Sequence, residues 1–146
     1  QNGVLIMATS VFHLAFPVYD IEKTRTFYVD MLGCAVGRED KRWIDFNFHG
    51  HQLSAHLYDH EDMFTPSNPV DEHDVPVRHF GIILNWGEWE HFAERLKREK
   101  VKFHIEPCIR FKGQVGEQAT MFIQDPSNNY LEFKSFKNMS QIFAKE

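Results

Sequence analysis

The stretch DPSNNYLEF, residues 125–133, sets a turn directly before a strand and indicates how the last part of this chain folds. Its first half is rich in Asp, Pro, Ser and Asn, which are typical of tight turns. Its second half alternates, so an extended backbone would direct Leu131 and Phe133 to one face and Glu132 to the other. The stretch therefore predicts a strand that carries a carboxylate opposite its apolar side.

Two histidines occupy the same kind of position as this carboxylate. His13 lies within FHLAF at residues 12–16, and His79 directly precedes FGI at residues 80–82, so each would face away from its large apolar neighbours. Two imidazoles and one carboxylate form the set that holds non-haem Fe(II) while leaving other positions open. We therefore expect His13, His79 and Glu132 to bind a metal, Fe(II) first and Zn, Mn or Ni as alternatives.

Length and composition limit the classes of protein to consider. The chain has 146 residues, of which 42% are hydrophobic and 14 are phenylalanine, and this is enough for one compact domain or two small modules. The formal charge is −5, and the basic residues are scattered among acidic ones. No nucleic-acid partner is indicated, because such proteins gather their basic residues into an unopposed surface.

The cysteines and the apolar segments point to a cytoplasmic protein. Cys34 and Cys108 are far apart and form no Cys-x-x-Cys motif, which favours reduced thiols. No apolar run approaches the roughly 20 residues that a membrane-spanning helix needs. MATS at residues 7–10 is typical of a native start, so we interpret residues 1–6 as an upstream extension or a cloning remnant, and residues 1–10 together as the N-terminal extension that precedes the first module.

The chain repeats one pattern, which predicts an α+β fold of two βαβββ modules. Each half reads strand, helix and three strands, with first strands at residues 11–18 and 78–85. Asp20 and Gly33 bound the first helix as its cap and its stop. The second helix covers residues 88–100. Of the three further strands in each half, two are placed in the first half, at residues 42–48 and 52–58, and three in the second, at residues 101–105, 119–124 and 129–136.

These elements define the predicted domain organisation. The first module covers residues 11–58 and the second covers residues 78–136. The segment between them, residues 59–77, contains three prolines without sustained periodicity and is predicted to be a linker. Residues 137–146 are expected to form a tail or a short helix.

This chain resembles the vicinal-oxygen-chelate superfamily, which includes glyoxalase I, bleomycin-resistance proteins, fosfomycin-resistance enzymes and type I extradiol dioxygenases. The resemblance is carried by HLAF at residues 13–16, the helix at 20–33, HFG at 79–81 and the stretch 125–133. Asn128 stands where the family commonly has Gly, a mild departure because Asn tolerates positive φ. The resemblance implies that the two modules curl into a mixed sheet around a metal, with the helices on the outer faces.

The resemblance also assigns roles to individual residues. It implies the same three metal ligands, and it places His56 where glyoxalase-type members have a fourth ligand. His56 is alternatively an acid or base, as are Tyr130 and His104 in the manner of extradiol enzymes. Some members of the family form their cavity within one chain and others across a dimer, so a homodimer is left open.

Substrate contacts are expected from two other places. The loop RFKGQVG at residues 110–116 is basic, so Arg110 or Lys112 could draw an anionic substrate, although a solvated loop fits the pattern equally. Asp45 and Asn47 share a strand face with Trp43, and this face would recognise hydroxyl groups if it lines the cavity.

The leading hypothesis is therefore a metal enzyme acting on a small molecule, nearest to an extradiol dioxygenase that cleaves a catechol-type ring. One alternative is a glyoxalase- or epimerase-type lyase or isomerase that acts through a metal-bound enediolate. The other is a non-enzymatic binding protein of the resistance type.

Overall fold

The computed structural model describes residues 10–70 and 72–145. The described chain forms two four-stranded mixed sheets and a separate two-stranded hairpin, which confirms the α+β class. It divides into two compact units, one ending at Asp59 and the other beginning at His60. The predicted N-terminal extension lies almost wholly outside the described residues.

The first unit has one helical segment and one sheet. Its strands lie in the order β1-β4-β3-β2, in which β1 is parallel to β4 and the other neighbours are antiparallel. Its elements are β1 (His13–Val18), α1 (Ile21–Arg25), a π-helical segment (Thr26–Met31), β2 (Ala35–Asp40), β3 (Trp43–Phe48) and β4 (His51–Leu57).

The first helix begins as predicted but does not stay α-helical. The Asp20 side chain accepts a hydrogen bond from the Lys23 backbone and caps α1, as the sequence predicts. The backbone then widens into the π-helical segment, which buries Phe27 and Tyr28. The Tyr28 ring stacks on Phe46 of β3 at 5.0 Å, so this helical face covers one side of the sheet.

The second unit repeats the same topology. Its main sheet has the order β7-β10-β9-β8, and β7 is parallel to β10. Its elements are β5 (Ser67–Val70), β6 (His73–Pro76), β7 (Phe80–Ile83), α2 (Trp86–Arg98), β8 (Phe103–Arg110), β9 (Gln118–Gln124), β10 (Tyr130–Phe136) and a 3-10 turn (Met139–Gln141).

Helix α2 covers one face of the second sheet. It begins two residues earlier than predicted, because Asn85 and Glu88 form a reciprocal capping box. Trp89 donates a hydrogen bond to the Phe133 carbonyl at 2.8 Å, and the Phe92 ring meets the Phe133 ring at 4.7 Å. Since Phe133 points toward the helix, Glu132 points to the opposite face, as the alternation predicts.

The segment predicted to be a linker contains regular structure. Strands β5 and β6 pair there as an antiparallel hairpin, which belongs to the second unit. Val75 of this hairpin packs with Ile105 and Phe122 in a buried cluster. Because Phe122 is the cross-strand neighbour of Glu132, the hairpin covers part of the sheet face that carries the carboxylate.

The turn before β10 is held by its aspartate. Asp125 is 3% exposed and accepts hydrogen bonds from the backbone of Ser127 and of Asn129, each at 2.8 Å. Asn128 has φ 66°, so asparagine supports the left-handed backbone predicted at this position. This turn fixes where β10 begins and therefore where Glu132 lies along it.

Cys34 and Cys108 form no disulfide in the structure, and Cys34 is buried. No helix in residues 10–70 or 72–145 is long and apolar enough to cross a membrane.

Candidate functional site

His79 and Glu132 meet in the second unit. The His79 Nε2 atom lies 3.2 Å from Glu132 Oε1, with 29% of the histidine side chain and 10% of the glutamate side chain exposed. Both groups have a second partner. His79 Nδ1 lies 2.6 Å from the Pro76 carbonyl, and the buried Thr120 hydroxyl donates to Glu132 Oε2 at 2.5 Å. Each side chain is thereby held in one orientation.

The contact shifts the pKa values of both groups toward the charged pair. The hydrogen bond with Glu132 raises the pKa of His79, although desolvation acts in the opposite direction. Burial acts to raise the pKa of Glu132, but the hydrogen bonds from His79 and Thr120 outweigh it and leave that pKa below its ordinary value. The contact therefore favours a proton between Nε2 of His79 and Oε1 of Glu132.

The geometry of this pair fits two ligands of one divalent ion. Because the Pro76 carbonyl can only accept, His79 donates through Nδ1 and has Nε2 left for a metal once the bridging proton departs. Two ligand atoms about 2.1 Å from a shared ion and at right angles stand about 3.0 Å apart. The observed separation of 3.2 Å is close to this value.

A glycine allows β7 to approach Glu132 closely. Gly81 pairs with Glu132 in the parallel β7–β10 register. A Cβ atom at Gly81 would lie 1.5 Å from the Glu132 carbonyl oxygen, so any other residue at this position would clash with the β10 backbone. The glycine after His79-Phe80 is therefore part of what holds His79 beside Glu132.

His13 lies in the first unit, within a hydrogen-bonded chain of polar side chains. Its Nδ1 lies 2.7 Å from Gln52 Oε1, and the Gln52 amide donates to Asp45 Oδ2 at 3.3 Å. The hydroxyl of Ser54 donates to the other oxygen of Asp45 at 2.6 Å. The side chains lie on the sheet face opposite the helical segment, since Ile44 and Phe46 of β3 point into the core.

The strand registers show which residue of the first unit corresponds to Glu132 of the second, and it is not His56. When His13 and His79 are aligned in sequence, Ser54 occupies the position of Glu132, because Ser54 pairs with Ala15 and Glu132 pairs with Gly81. His56 lies two residues further along β4 and is exposed. The fourth-ligand role of His56 stays a prediction, and the register gives it no support.

The predicted polar face of β3 borders a pocket of about 270 Å³ in the first unit. Asp45 and Asn47 both line it, and their role in substrate recognition stays a prediction. Asn47 also accepts a hydrogen bond from the Gly50 backbone at 2.8 Å, so it has a structural role in the β3–β4 turn. The remaining lining residues are Val11, Gly37, Arg38, Phe46, Gly50, His51 and Gln52.

The two acid/base candidates of the second unit touch each other. The His104 and Tyr130 rings are 5.1 Å apart in an edge-to-face arrangement. His104 Nε2 lies 2.9 Å from the Asp74 carbonyl, which leaves Nδ1 able to accept a proton. Tyr130 precedes Glu132 by two residues on β10 and therefore lies on the same face of the sheet.

The predicted basic loop has one exposed and one buried charge, because Arg110 belongs to strand β8. Arg110 is the last residue of β8 and only 8% exposed, with its guanidinium 5.3 Å from the Phe111 ring centre. Lys112 is exposed, while Glu117 accepts a hydrogen bond from the Gly113 backbone. Lys112 is thus the accessible cation of the two, and a role in substrate binding stays a prediction for both.

Sequence reasoning missed the side chains and carbonyl that orient the histidines and the glutamate. Gln52 and Thr120 are polar residues on the predicted site faces, so the alternation could have drawn attention to them. No feature of the sequence points to the Pro76 carbonyl, because the position of a backbone acceptor depends on tertiary structure alone.

Within the part of the chain that the structure describes, no three His, Cys, Asp or Glu side chains form a group that could hold a metal.

The sequence matches the Glyoxalase/Bleomycin resistance protein/Dioxygenase superfamily over residues 10–133. It is also similar to a solved glyoxalase/bleomycin resistance protein/dioxygenase from Alicyclobacillus acidocaldarius. The two are 34% identical with a TM-score of 0.80, and the match covers 94% of this chain and 100% of that chain.

More distant solved structures share the fold. The fosfomycin resistance protein FosX from Listeria monocytogenes has a TM-score of 0.68 at 15% identity, covering 93% of this chain and 100% of that chain. Virulence protein STM3117 from Salmonella typhimurium has a TM-score of 0.61 at 20% identity, covering 90% and 99%. No curated protein matches the sequence significantly.

Proposed function

Because the chain belongs to the glyoxalase/bleomycin resistance protein/dioxygenase superfamily, we propose that it is a divalent-metal enzyme acting on a small molecule with two neighbouring oxygen atoms. The observation that carries this proposal is the 3.2 Å contact between His79 Nε2 and Glu132 Oε1. Both side chains have the supporting hydrogen bonds that metal ligands generally have. The specific reaction proposed is ring cleavage of a catechol-type substrate by O2, with Fe(II) as the metal.

His13 is the proposed third ligand. Its Nδ1 faces the side-chain oxygen Oε1 of Gln52, as His79 Nδ1 faces the Pro76 carbonyl, so Nε2 is the nitrogen proposed to bind the metal in both histidines. Three protein ligands leave coordination positions for two substrate oxygens and O2. The match of Ser54 to Glu132 favours this three-ligand set over one completed by His56.

The protein groups near the pair suit the other needs of the reaction. When bound, a divalent metal would supply Lewis acidity and a template for the substrate oxygens. Thr120 and the Pro76 carbonyl keep the two ligand side chains oriented. Tyr130 and His104 are the groups proposed to move the substrate proton, since they lie on or beside the face of β10 that carries Glu132.

The test is metal content and ring cleavage measured on the same preparations. Full-length protein is purified without oxygen, and its metals are quantified. Catechol and 2,3-dihydroxybiphenyl are then supplied with O2, with and without Fe(II). We expect stoichiometric iron, O2 uptake and a ring-cleavage product.

Two variants make the result specific to the site. His79→Ala should lose both metal and activity, whereas His91→Ala should keep both, because His91 is exposed on α2. Tight Zn, Mn or Ni without O2 uptake would overturn the dioxygenase reaction in favour of a lyase or isomerase. Absence of any bound metal would overturn the enzyme proposal and leave a binding protein.

A further inference from the structure

The polar chain around His13 has a direction that one residue sets. Asp45 receives hydrogen bonds on both carboxylate oxygens, from Gln52 and from Ser54. An ionised carboxylate accepts hydrogen bonds and donates none. The NH2 group of Gln52 must therefore face Asp45.

This constraint reaches His13 through the amide of Gln52. An amide that turns its NH2 group toward Asp45 turns its carbonyl oxygen the other way, and that oxygen lies 2.7 Å from His13 Nδ1. A carbonyl oxygen can only accept, so the proton of a neutral His13 must be on Nδ1. The lone pair of His13 is then on Nε2, the nitrogen that the proposed function assigns to the metal.

We propose that Asp45 is a positioning residue that acts through Gln52 to hold His13 in the Nδ1–H tautomer. The inference rests on the proposed function for its purpose, but the tautomer is a property of the metal-free chain. Asp45 differs in this from a substrate-recognition residue, since it acts on a ligand side chain from two hydrogen bonds away.

Asp45→Asn is the decisive variant because it keeps the shape of the side chain but adds a hydrogen-bond donor where Asp45 can only accept. An asparagine can donate its own NH2 group to Gln52, which lets the glutamine amide turn over and donate to His13 Nδ1. The histidine proton would then move to Nε2. Ser54→Ala is the matched control, because it removes a hydrogen bond from Asp45 and leaves the acceptor-only carboxylate facing Gln52.

The measurement is a long-range ¹H–¹⁵N correlation spectrum of metal-free, ¹⁵N-histidine-labelled full chain at a pH of about 8, where imidazoles are generally neutral. The His13 signals are assigned from their absence in His13→Gln. We expect Nδ1–H in the parent protein and in Ser54→Ala, with a shift toward Nε2–H in Asp45→Asn and in Gln52→Leu. A parent protein with Nε2–H, or an unchanged tautomer in both Asp45→Asn and Gln52→Leu, would overturn the inference.

A second readout separates this inference from the proposed function. Binding of Co(II) to Asp45→Asn should be roughly 10-fold weaker than to the parent protein, since loss of a ligand's supporting partner typically costs 10- to 100-fold. Equal affinities would count against the positioning role. A parent protein that binds no metal at all would overturn the proposed function and leave the tautomer result to stand by itself.

Discussion

The two units share one topology but use the corresponding positions for different chemistry. In the first, Ala15 pairs with Ser54, and in the second Gly81 pairs with Glu132. Sheet order and the helix-covered face are the same in both. The apolar pattern therefore determines the architecture, whereas single residues on the other face determine which unit carries the histidine–carboxylate pair.

The support given to each histidine differs in the same way. In the first unit His13 depends on a side chain, Gln52, which itself depends on Asp45. In the second unit His79 depends on the backbone carbonyl of Pro76. A backbone acceptor cannot turn over as an amide side chain can, so the orientation of His79 should be the more resistant to substitution.

The largest expected difference between the units comes from adding one methyl group. Gly81→Ala should destabilise the protein by roughly 3 kcal/mol or more, because its Cβ would overlap the Glu132 backbone. The reverse change at the matching position, Ala15→Gly, should cost about 0.5–1 kcal/mol. Urea unfolding of both variants measures the contrast, and similar losses would show that the close approach of β7 to β10 is unimportant.

The turns before β4 and β10 provide a second, smaller contrast. Asp125→Ala should lower the free energy of unfolding by about 2–3 kcal/mol, since it leaves the buried backbone donor of Ser127 and the partly buried donor of Asn129 without their acceptor. Asn47→Ala should lower the free energy of unfolding by about 1 kcal/mol or less, because the exposed Gly50 N–H can form a hydrogen bond with water instead. Thermal unfolding of the two variants checks this order, and a costlier Asn47→Ala would contradict it.

The smallest change concerns the carboxylate's partner. Thr120→Val keeps the shape of a fully buried side chain and removes the hydroxyl that holds Glu132. We expect metal binding to weaken roughly 10-fold while the fold is retained, because outer partners fix ligand orientation. Ser54→Ala, which removes a buried hydroxyl from β4 of the first unit, should leave the affinity unchanged. A calorimetric metal titration of the Thr120→Val and Ser54→Ala variants measures both affinities, and equal losses would argue against a specific role for Thr120.

Much of the sheet architecture could be predicted from alternation, and the exceptions have physical reasons. Strand β3 alternates between core and outer residues, and in β10 Leu131 and Phe133 alternate in sequence with Glu132 and Lys134, so the predicted bounds of both strands agree closely with the structure. Strand β2 could not be bounded, because AVGRED is exposed almost throughout and has no apolar face. The hairpin β5–β6 was read as a linker because Pro69 and Pro76 argue against strands, although edge strands tolerate proline.

The candidate site was only partly accessible from the sequence. The alternation of side chains along a strand identifies His79 and Glu132 as ligand candidates, and the structure brings these two together. Alternation could not identify the Pro76 carbonyl, whose place depends on the hairpin, or rank His56 against Ser54, which requires the strand register. The sequence does not predict the burial of Arg110, because a charged residue at the end of a strand has the same pattern as one in the exposed loop that follows.

The most direct test of the account is an equilibrium Co(II) titration of the metal-free full chain, followed by the visible absorption of the bound ion. The parent protein and His91→Ala should bind one ion per chain, whereas His79→Ala and Glu132→Ala should lose at least 100-fold in affinity, the upper range for disturbed metal ligation. Circular dichroism shows whether these variants remain folded. Unchanged binding in folded His79→Ala and Glu132→Ala would contradict the claim that this pair is the metal site.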